Sequence, residues 1–406
     1  MLRVFVSGYG LVSAYGNSWQ DLNAGFASGK NAVCYIPEWE KYHELSAYLA
    51  APIKDYSPPK QWSRKEIRSL GKVSQYSVEA AGAALKMAGL LGDESIKDGK
   101  MGVASGQSTG STDATAALSK MILDNDPSLV NANTYIKMMP HTTAANIAIF
   151  YGLKGRIIPT SSACTSASHA LGYSYEAIKF GRIPMMLAGG GEELCVSEVY
   201  VFNMLYATSQ KNSTPSLTPS PFDVKRDGLV IGEGAGMLVL EGEESLMKRG
   251  GTPIAEIIGF GSTCDGTHIT KPESETMKKA MQLALDDAGL NPEQIGYVNA
   301  HATATKAGDI AESIAINEIF GEHMPVSSLK GYLGHTLGAC GALESIASIE
   351  MARQKLFYHN LNLTQVDPQC AKLDYLMQPR ELSTEYVMKN NFAFGGINTS
   401  LVFKIL

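Results

Sequence analysis

The sequence is poor in cysteine, and the six it has, Cys34, Cys164, Cys195, Cys264, Cys340 and Cys370, form no C-x-x-C pair and follow no regular spacing. That excludes a disulfide framework and a zinc site as organising devices, makes no metal the expectation, and makes a reducing cytoplasm the default location. The first residues, Met1 to Gly10, have no basic segment, apolar stretch and small-residue cleavage site in series, so they read as a strand running into a glycine turn rather than a signal peptide. No uninterrupted apolar run approaches the roughly 20 residues that span a bilayer, and no transmembrane segment is expected. A basic excess is missing too. With 34 Lys and Arg against 40 Asp and Glu, the net charge of -6 gives no electrostatic reason to expect nucleic acid or an anionic membrane as a partner. An acidic protein partner would need a local basic patch.

What is present is ordinary globular material: 45% hydrophobic and 18% charged residues, with 40 glycines pointing to tight turns and close backbone approaches. Short apolar runs ending in small residues recur at Arg3 to Ser7, Met101 to Ala104, Met185 to Ala188 and Met237 to Leu240, as in buried strands of a mixed or parallel sheet. Helical patterns lie between them, at Val73 to Met87, Ala163 to Phe180, Ser274 to Ala288 and Ala311 to Ile319. The alternation predicts an α/β fold. Asn212 to Asp227 carries Pro215, Pro219 and Pro221 and reads as a loop. A weak echo joins Arg3-Val-Phe-Val-Ser-Gly-Tyr-Gly to Ala255-Glu-Ile-Ile-Gly-Phe-Gly-Ser, two strand-then-glycine segments.

Cys164 stands in Pro159-Thr-Ser-Ser-Ala-Cys-Thr-Ser-Ala-Ser-His-Ala-Leu, a small polar turn entering a helical pattern. Unpaired amides and the dipole at a helix start favour an anion, so the thiol is expected below its ordinary pKa, and the same amides suit an oxyanion. An arbitrary cysteine is more often a small buried apolar filler. Two histidines follow apolar strands: His301 in Val298-Asn-Ala-His-Ala-Thr-Ala-Thr, and His335 in Gly334-His-Thr-Leu-Gly-Ala-Cys-Gly. Each is placed to donate from Nε2 to one carbonyl oxygen and so stabilise an enolate. Lys330 and Glu344 flank the second loop and, taken alone, read as a surface lysine and a solvated glutamate. In Asn391-Phe-Ala-Phe-Gly-Gly-Ile-Asn-Thr-Ser, a Gly-Gly pair beside Phe394 suits a movable apolar gate, although core packing also accounts for the phenylalanines.

These four segments, in this order, resemble the β-ketoacyl synthases of the thiolase superfamily, over essentially the whole chain from Arg3 to Phe403. Pro221-Phe-Asp-Val-Lys-Arg-Asp-Gly and Gly232-Glu-Gly-Ala-Gly look like that family's structural loop between halves. The elongating branch, with a Cys-His-His set, is the nearer match. The resemblance implies a thiolase-like five-layered αβαβα fold of two similar halves, residues 1–250 with the nucleophile and cap or dimer insertions, and residues 251–406 with the histidines. It implies Cys164 as acyl carrier, His301 and His335 as supports of malonyl decarboxylation, Lys330 as their electrostatic partner and Glu344 as the partner of Lys330. Phe394 would gate the acyl pocket beside Phe392, with the amides of Cys164 and Phe394 as oxyanion hole. Thr303 and Thr305 would meet the phosphopantetheine arm of an acyl carrier protein, the one cofactor implied. It also implies a homodimer, or a heterodimer with a chain-length-factor-like subunit.

The chain departs from the pattern at Ala302 and Ala304, where Gly or Ser is usual, at Ala393, where the gate loop usually has Gly, and at Ser166-Ala-Ser-His. The methyl groups are expected to stiffen the gate. The departures favour a pathway-specialised enzyme of polyene or polyketide assembly, aryl polyene pigments included, over a housekeeping elongase. The rival from another reaction class is an α/β-hydrolase with Ser108 as nucleophile, since Gly106-Gln-Ser-Thr-Gly fits G-x-S-x-G after an apolar run. The non-enzymatic rival, a chain-length factor, lacks the catalytic cysteine that this chain keeps. Gly232-Glu-Gly-Ala-Gly does not complete a dinucleotide fingerprint.

Overall fold

The computed structural model describes all 406 residues. Five strands build the N-terminal half: β1 (Val4–Val12), β2 (Met101–Gly106), β3 (Ile157–Pro159), β4 (Met185–Glu192) and β5 (Gly234–Gly242). Six build the C-terminal half: β6 (Ala255–Cys264), β7 (Tyr297–Asn299), β8 (Pro325–Ser327), β9 (Asp374–Tyr375), β10 (Tyr386–Ala393) and β11 (Ile397–Ile405). The strand orders are β1-β5-β4-β2-β3 and β6-β11-β10-β7-β8-β9. Counted outward from β1 and from β6, the pairings run antiparallel, antiparallel, parallel, parallel in both halves. A short antiparallel contact of Val4–Val6 with Ala255–Ile257 joins the two sets.

Helices fill three layers around these sheets. Helices α1 (Lys72–Met87) and α2 (Thr142–Tyr151) cover the outer face of the first sheet. The central layer is α3 (Ser166–Lys179), and α4 (Val196–Met204) lies beside the site. Helices α5 (Ser274–Ala288) and α6 (Lys306–Phe320) cover the second sheet; after the single turn α7 (Lys330–Leu333), α8 (Cys340–Gln354) packs on α3 to complete the centre. The result is the αβαβα order of the thiolase-like fold. Helix α8 is buried almost throughout, as a helix held between two sheets must be, and so shows no amphipathic stripe.

The echo between the two strand-then-glycine segments has a packing cause. A Cβ at Gly8 or Gly10 of β1 would sit 2.5 and 2.1 Å from the carbonyl oxygens of Ala84 and Ala80 in α1. At Gly259 and Gly261 of β6 it would meet those of Ala284 and Ala280 in α5 at 2.1 and 2.0 Å. Each half thus uses two glycines, two residues apart and on one strand face, to seat an alanine-lined helix close against its sheet.

The proline-rich stretch is a loop, as expected, with Arg226 buried inside it. The Arg226 guanidinium reaches Asp367 at 2.7 Å and Asp309 at 3.4 Å, fastening this loop to the C-terminal half. The expectation of a loop at Gly232-Glu-Gly-Ala-Gly needs correcting: from Gly234 onward it is strand β5, and glycines are needed there because the Gly236 position lies 2.9 Å from Ala342 of α8. No helix is long and apolar enough to cross a membrane.

Candidate active site

Cys164 lies in a single 3-10 turn, Ala163–Thr165, leading into α3, and Ala163 before it is held at φ +50. Such a left-handed residue costs on the order of 1 to 3 kcal/mol, and small neighbours are what let the chain make this bend. The Cys164 Sγ is 2.9 Å from His335 Nε2. His301 stands edge-on to His335 with ring centres 5.1 Å apart, and one ligating-type atom from each of the three residues falls within 4.8 Å of the others. The C-terminal half thereby delivers both imidazoles to Cys164 of the N-terminal half. The expectation for the thiol is reversed. Burial pushes it up from the ordinary range, against the pull of Lys330, so the resting group is a neutral thiol with a base at its side.

Local structure fixes the rings. His301 follows β7, and its amide and that of Ala302 donate to the buried Glu312 at 2.8 and 2.7 Å. Asn391 of β10 donates from Nδ2 to His301 Nδ1 at 3.3 Å, while its own Oδ1 accepts from Ser168 of α3 at 2.6 Å. With Nδ1 accepting, the proton of neutral His301 sits on Nε2. His335 does not follow a strand directly, as the sequence pattern had implied; it follows α7 and Gly334, which turns the chain at φ +68. Burial, with Lys330 adding to it, holds both rings well below the ordinary imidazole range, so both are neutral.

Lys330 and Glu344 are neither surface lysine nor solvated glutamate. Both are buried, with Lys330 Nζ 2.7 Å from Glu344 Oε1, and Lys389 Nζ of β10 forms an ion pair with Glu344 Oε2 at the same distance. Burial alone would raise Glu344, yet the two ammonium groups hold it below the usual carboxylate range. A cavity of about 560 Å³ opens over the trio and is lined by Cys164, His301, His335, Phe392 and Phe394. Thr303 and Thr305 also line it, their hydroxyls 3.1 Å apart, with Ala304 between them at φ +67. Phe394 packs against Phe202 of α4 with ring centres 4.9 Å apart and the rings tilted by 44°. The gate turn is Gly395-Gly396, at φ +89 and +70, whereas Ala393 pairs with Ile397 in extended backbone. The methyl of Ala393 therefore carries no strain in this conformation.

Ser108 is disposed of as a nucleophile. Its hydroxyl donates to the buried carboxylate of Glu192 at 2.5 Å, and that carboxylate also accepts from the amides of Ser108 and Gly338. A hydrolytic serine needs an imidazole to take its proton, and here an acceptor of a different kind occupies that place. The residues that sequence reasoning missed are Asn391, Lys389 and Glu312. The available signal was polar Lys389-Asn390-Asn391 inside a strand that is otherwise core.

The profile of the β-ketoacyl synthase N-terminal domain matches residues 1–245, and that of the C-terminal domain matches residues 254–364. The chain belongs to the β-ketoacyl synthase family. Among solved structures, a β-ketoacyl synthase from Burkholderia phymatum is 54% identical with a TM-score of 0.99, all of both chains being covered. The ishigamide ketosynthase/chain length factor is 28% identical with a TM-score of 0.90, covering 100% of this chain and 99% of that one. A 3-oxoacyl-[acyl-carrier-protein] synthase 2 from Synechocystis is 33% identical over 99% of this chain and 98% of its own. The synthase is an acyltransferase.

Proposed function

We propose that the synthase performs a decarboxylative Claisen condensation, taking an acyl chain onto Cys164 and extending it with a malonyl unit presented on the phosphopantetheine arm of an acyl carrier protein. The single observation that carries this is the Cys164 sulfur 2.9 Å from an imidazole, with a second imidazole facing the same cavity. In the first half, Cys164 Sγ attacks the acyl thioester carbon, the carbon–sulfur bond to the arm breaks, and the thiol proton passes by way of His335 to the departing arm thiolate. In the second, the malonyl thioester loses carbon dioxide, and the electron pair left behind forms an enolate whose oxygen accepts from Nε2–H of His301 and, once the acylated Cys164 no longer offers a proton, from His335 in its Nε2–H tautomer. The enolate carbon attacks the Cys164 thioester, and Cys164 leaves as thiolate. The amides of Cys164 and Phe394, which donate to no backbone carbonyl, receive the oxyanion. Lys330 and Glu344 set the field beneath the histidines, Thr303 and Thr305 meet the arm, and Phe394 with Phe392 shapes the entry of the chain.

The chain divides for this purpose into residues 1–250, which carry Cys164, and residues 251–406, which carry both histidines. Because one chain holds the whole set, it is the active half of its assembly, whether beside a second copy or a chain-length-factor-like subunit. Strand β3 ends the first sheet with Ile157 46% exposed, an apolar edge of the kind that a second subunit covers. The test is incubation with acyl carrier protein loaded with an acyl chain. The wild type should gain the acyl mass and Cys164→Ala should not; equal labelling of both would refute the assignment.

A further inference from the structure

Lys389 has no role in the condensation as drawn above, yet it is one of the most deeply buried lysines in the chain. Its ammonium pairs with Glu344 Oε2 at 2.7 Å and donates to the Asn390 carbonyl. One carboxylate therefore serves two buried ammonium groups, Lys330 from α7 and Lys389 from β10. Residues two apart on a strand share a face, so Lys389 projects to the same side as Asn391, which holds His301 Nδ1. Asn390 between them faces the other way, toward Met281 of α5. In the neighbouring strand Lys389 is in register with Asn299, two residues before His301. The second ammonium thus lies on the side of β10 from which Asn391 reaches His301.

A buried lysine normally loses its proton or is replaced by something apolar, because taking an ammonium out of water is costly. Burial does pull Lys389 down, and Glu344 opposes that pull. The groups facing it are Glu344 and Cys340 of α8, Lys330 of α7, and Glu312 of α6, with His301 and His335 above. Lys330 and Lys389 are two positive charges against the carboxylates of Glu344 and Glu312, and both ammonium groups oppose protonation of the rings.

We propose that Lys389 is a positioning residue of the malonyl half-reaction: it clamps Glu344 and through it the Lys330 ammonium, and supplies the charge that keeps His301 and His335 neutral Nε2–H donors. This rests on the condensation reading and deepens it. A neutral ring donates to the enolate without first giving up a proton. The linkage has a definite sign: a nearby cation lowers an imidazole pKa, so removing it raises that pKa, and activity that needs the neutral ring is lost at a higher pH as the solution is acidified.

The test uses the full-length synthase with Lys389→Met, which keeps length without charge, and Lys389→Arg, which keeps the charge. Decarboxylation of malonyl carrier protein is followed against pH, and single-turnover acyl loading of Cys164 is measured at alkaline pH, where the rings are neutral in every variant. Lys389→Met should shift the acid limb of decarboxylation upward by about one pH unit, which lowers the rate about tenfold on the acid side of that limb. Alkaline loading should stay within about threefold of wild type, a margin well short of the loss on removing a direct donor. Lys389→Arg should restore most of the rate and the original limb. An unmoved limb in a folded Lys389→Met protein, or an arginine variant no better than methionine, overturns the proposal. Should Lys389→Met not fold, Lys389→Gln carries the same expectation, since it keeps a donor for Glu344 but no charge. A nitrogen-15 histidine spectrum of the wild type adds a check without any variant: an imidazolium signal from either ring at about pH 6 overturns the proposal. Failure of the wild type to take an acyl group on Cys164 would instead sink the condensation reading itself.

Discussion

The helices α3 and α8 occupy equivalent places in the two halves and meet in the central layer, but what stands at their starts differs. Ahead of α3 is a thiol in a strained turn among serines, threonines and alanines. Ahead of α8 is an imidazole, and α8 opens with Cys340, whose thiol donates to the carbonyl of Cys164 at 3.3 Å instead of facing a substrate. Buried charges stand in both halves, Glu192 and Arg226 in the first among them, but the ammonium groups that bear on the histidines, Lys330 and Lys389, and the carboxylate they share, Glu344, all belong to the C-terminal half. The duplicated frame thus lets one half specialise in covalent chemistry, which needs room and a bend, and the other in electrostatics, which needs low dielectric and paired charges. A change at the nucleophile should therefore remove chemistry and leave the fold, whereas a change in the charge network should disturb both.

The largest effect tests the first half of that statement. Cys164→Ala should abolish condensation while its denaturant midpoint stays close to that of the wild type; a large loss of stability would show that the thiol also serves packing. Next come the histidines. His301→Ala and His335→Ala should each slow condensation about a hundred- to thousandfold, the cost of one lost donor. Because only His335 touches Cys164, acyl loading should suffer more in His335→Ala than in His301→Ala. Equal loading in both would mean that the rings are not differentiated as drawn.

The second half of the comparison is tested by Glu344→Ala, which strands two buried ammonium groups. It should cost about 3 to 5 kcal/mol of stability by denaturant titration, as well as activity. A stable but inactive variant would separate the charge network from the fold. Phe394→Ala should loosen chain-length selectivity in acyl loading at some cost in rate, since its ring leans on Phe202 and supports the neighbouring amide. The smallest change is expected for Ala393→Gly. Its backbone is extended and paired with Ile397, so the loading profile against chain length should barely move; a marked gain for long chains would place left-handed backbone at this position in the open gate.

Periodicity found the helices Val73 to Met87 and Ser274 to Ala288 almost to the residue, because each has one face against a sheet. It extended less well to β5 and β10, where glycines and polar residues sit inside strands. The glycines answer to helices pressing from outside, and Lys389 and Asn391 answer to partners more than 40 residues away in sequence. Local pattern carries no information about such neighbours. Motif order exposed Cys164, His301 and His335, while the composition of their surroundings misread Lys330 and Glu344, whose burial depends on the whole central layer.

What the sequence determined by itself was the set of reacting side chains, the α/β alternation and the duplicated glycine pairs, since each is a local requirement of chemistry or of backbone sterics. Only the tertiary structure decided the protonation states. A thiol expected to be acidified by a helix start is held neutral by burial, and two ordinary-looking lysines become a shared cationic floor beneath neutral histidines. Charge energetics depend on dielectric and distance, and both are set by which distant segments the fold brings together.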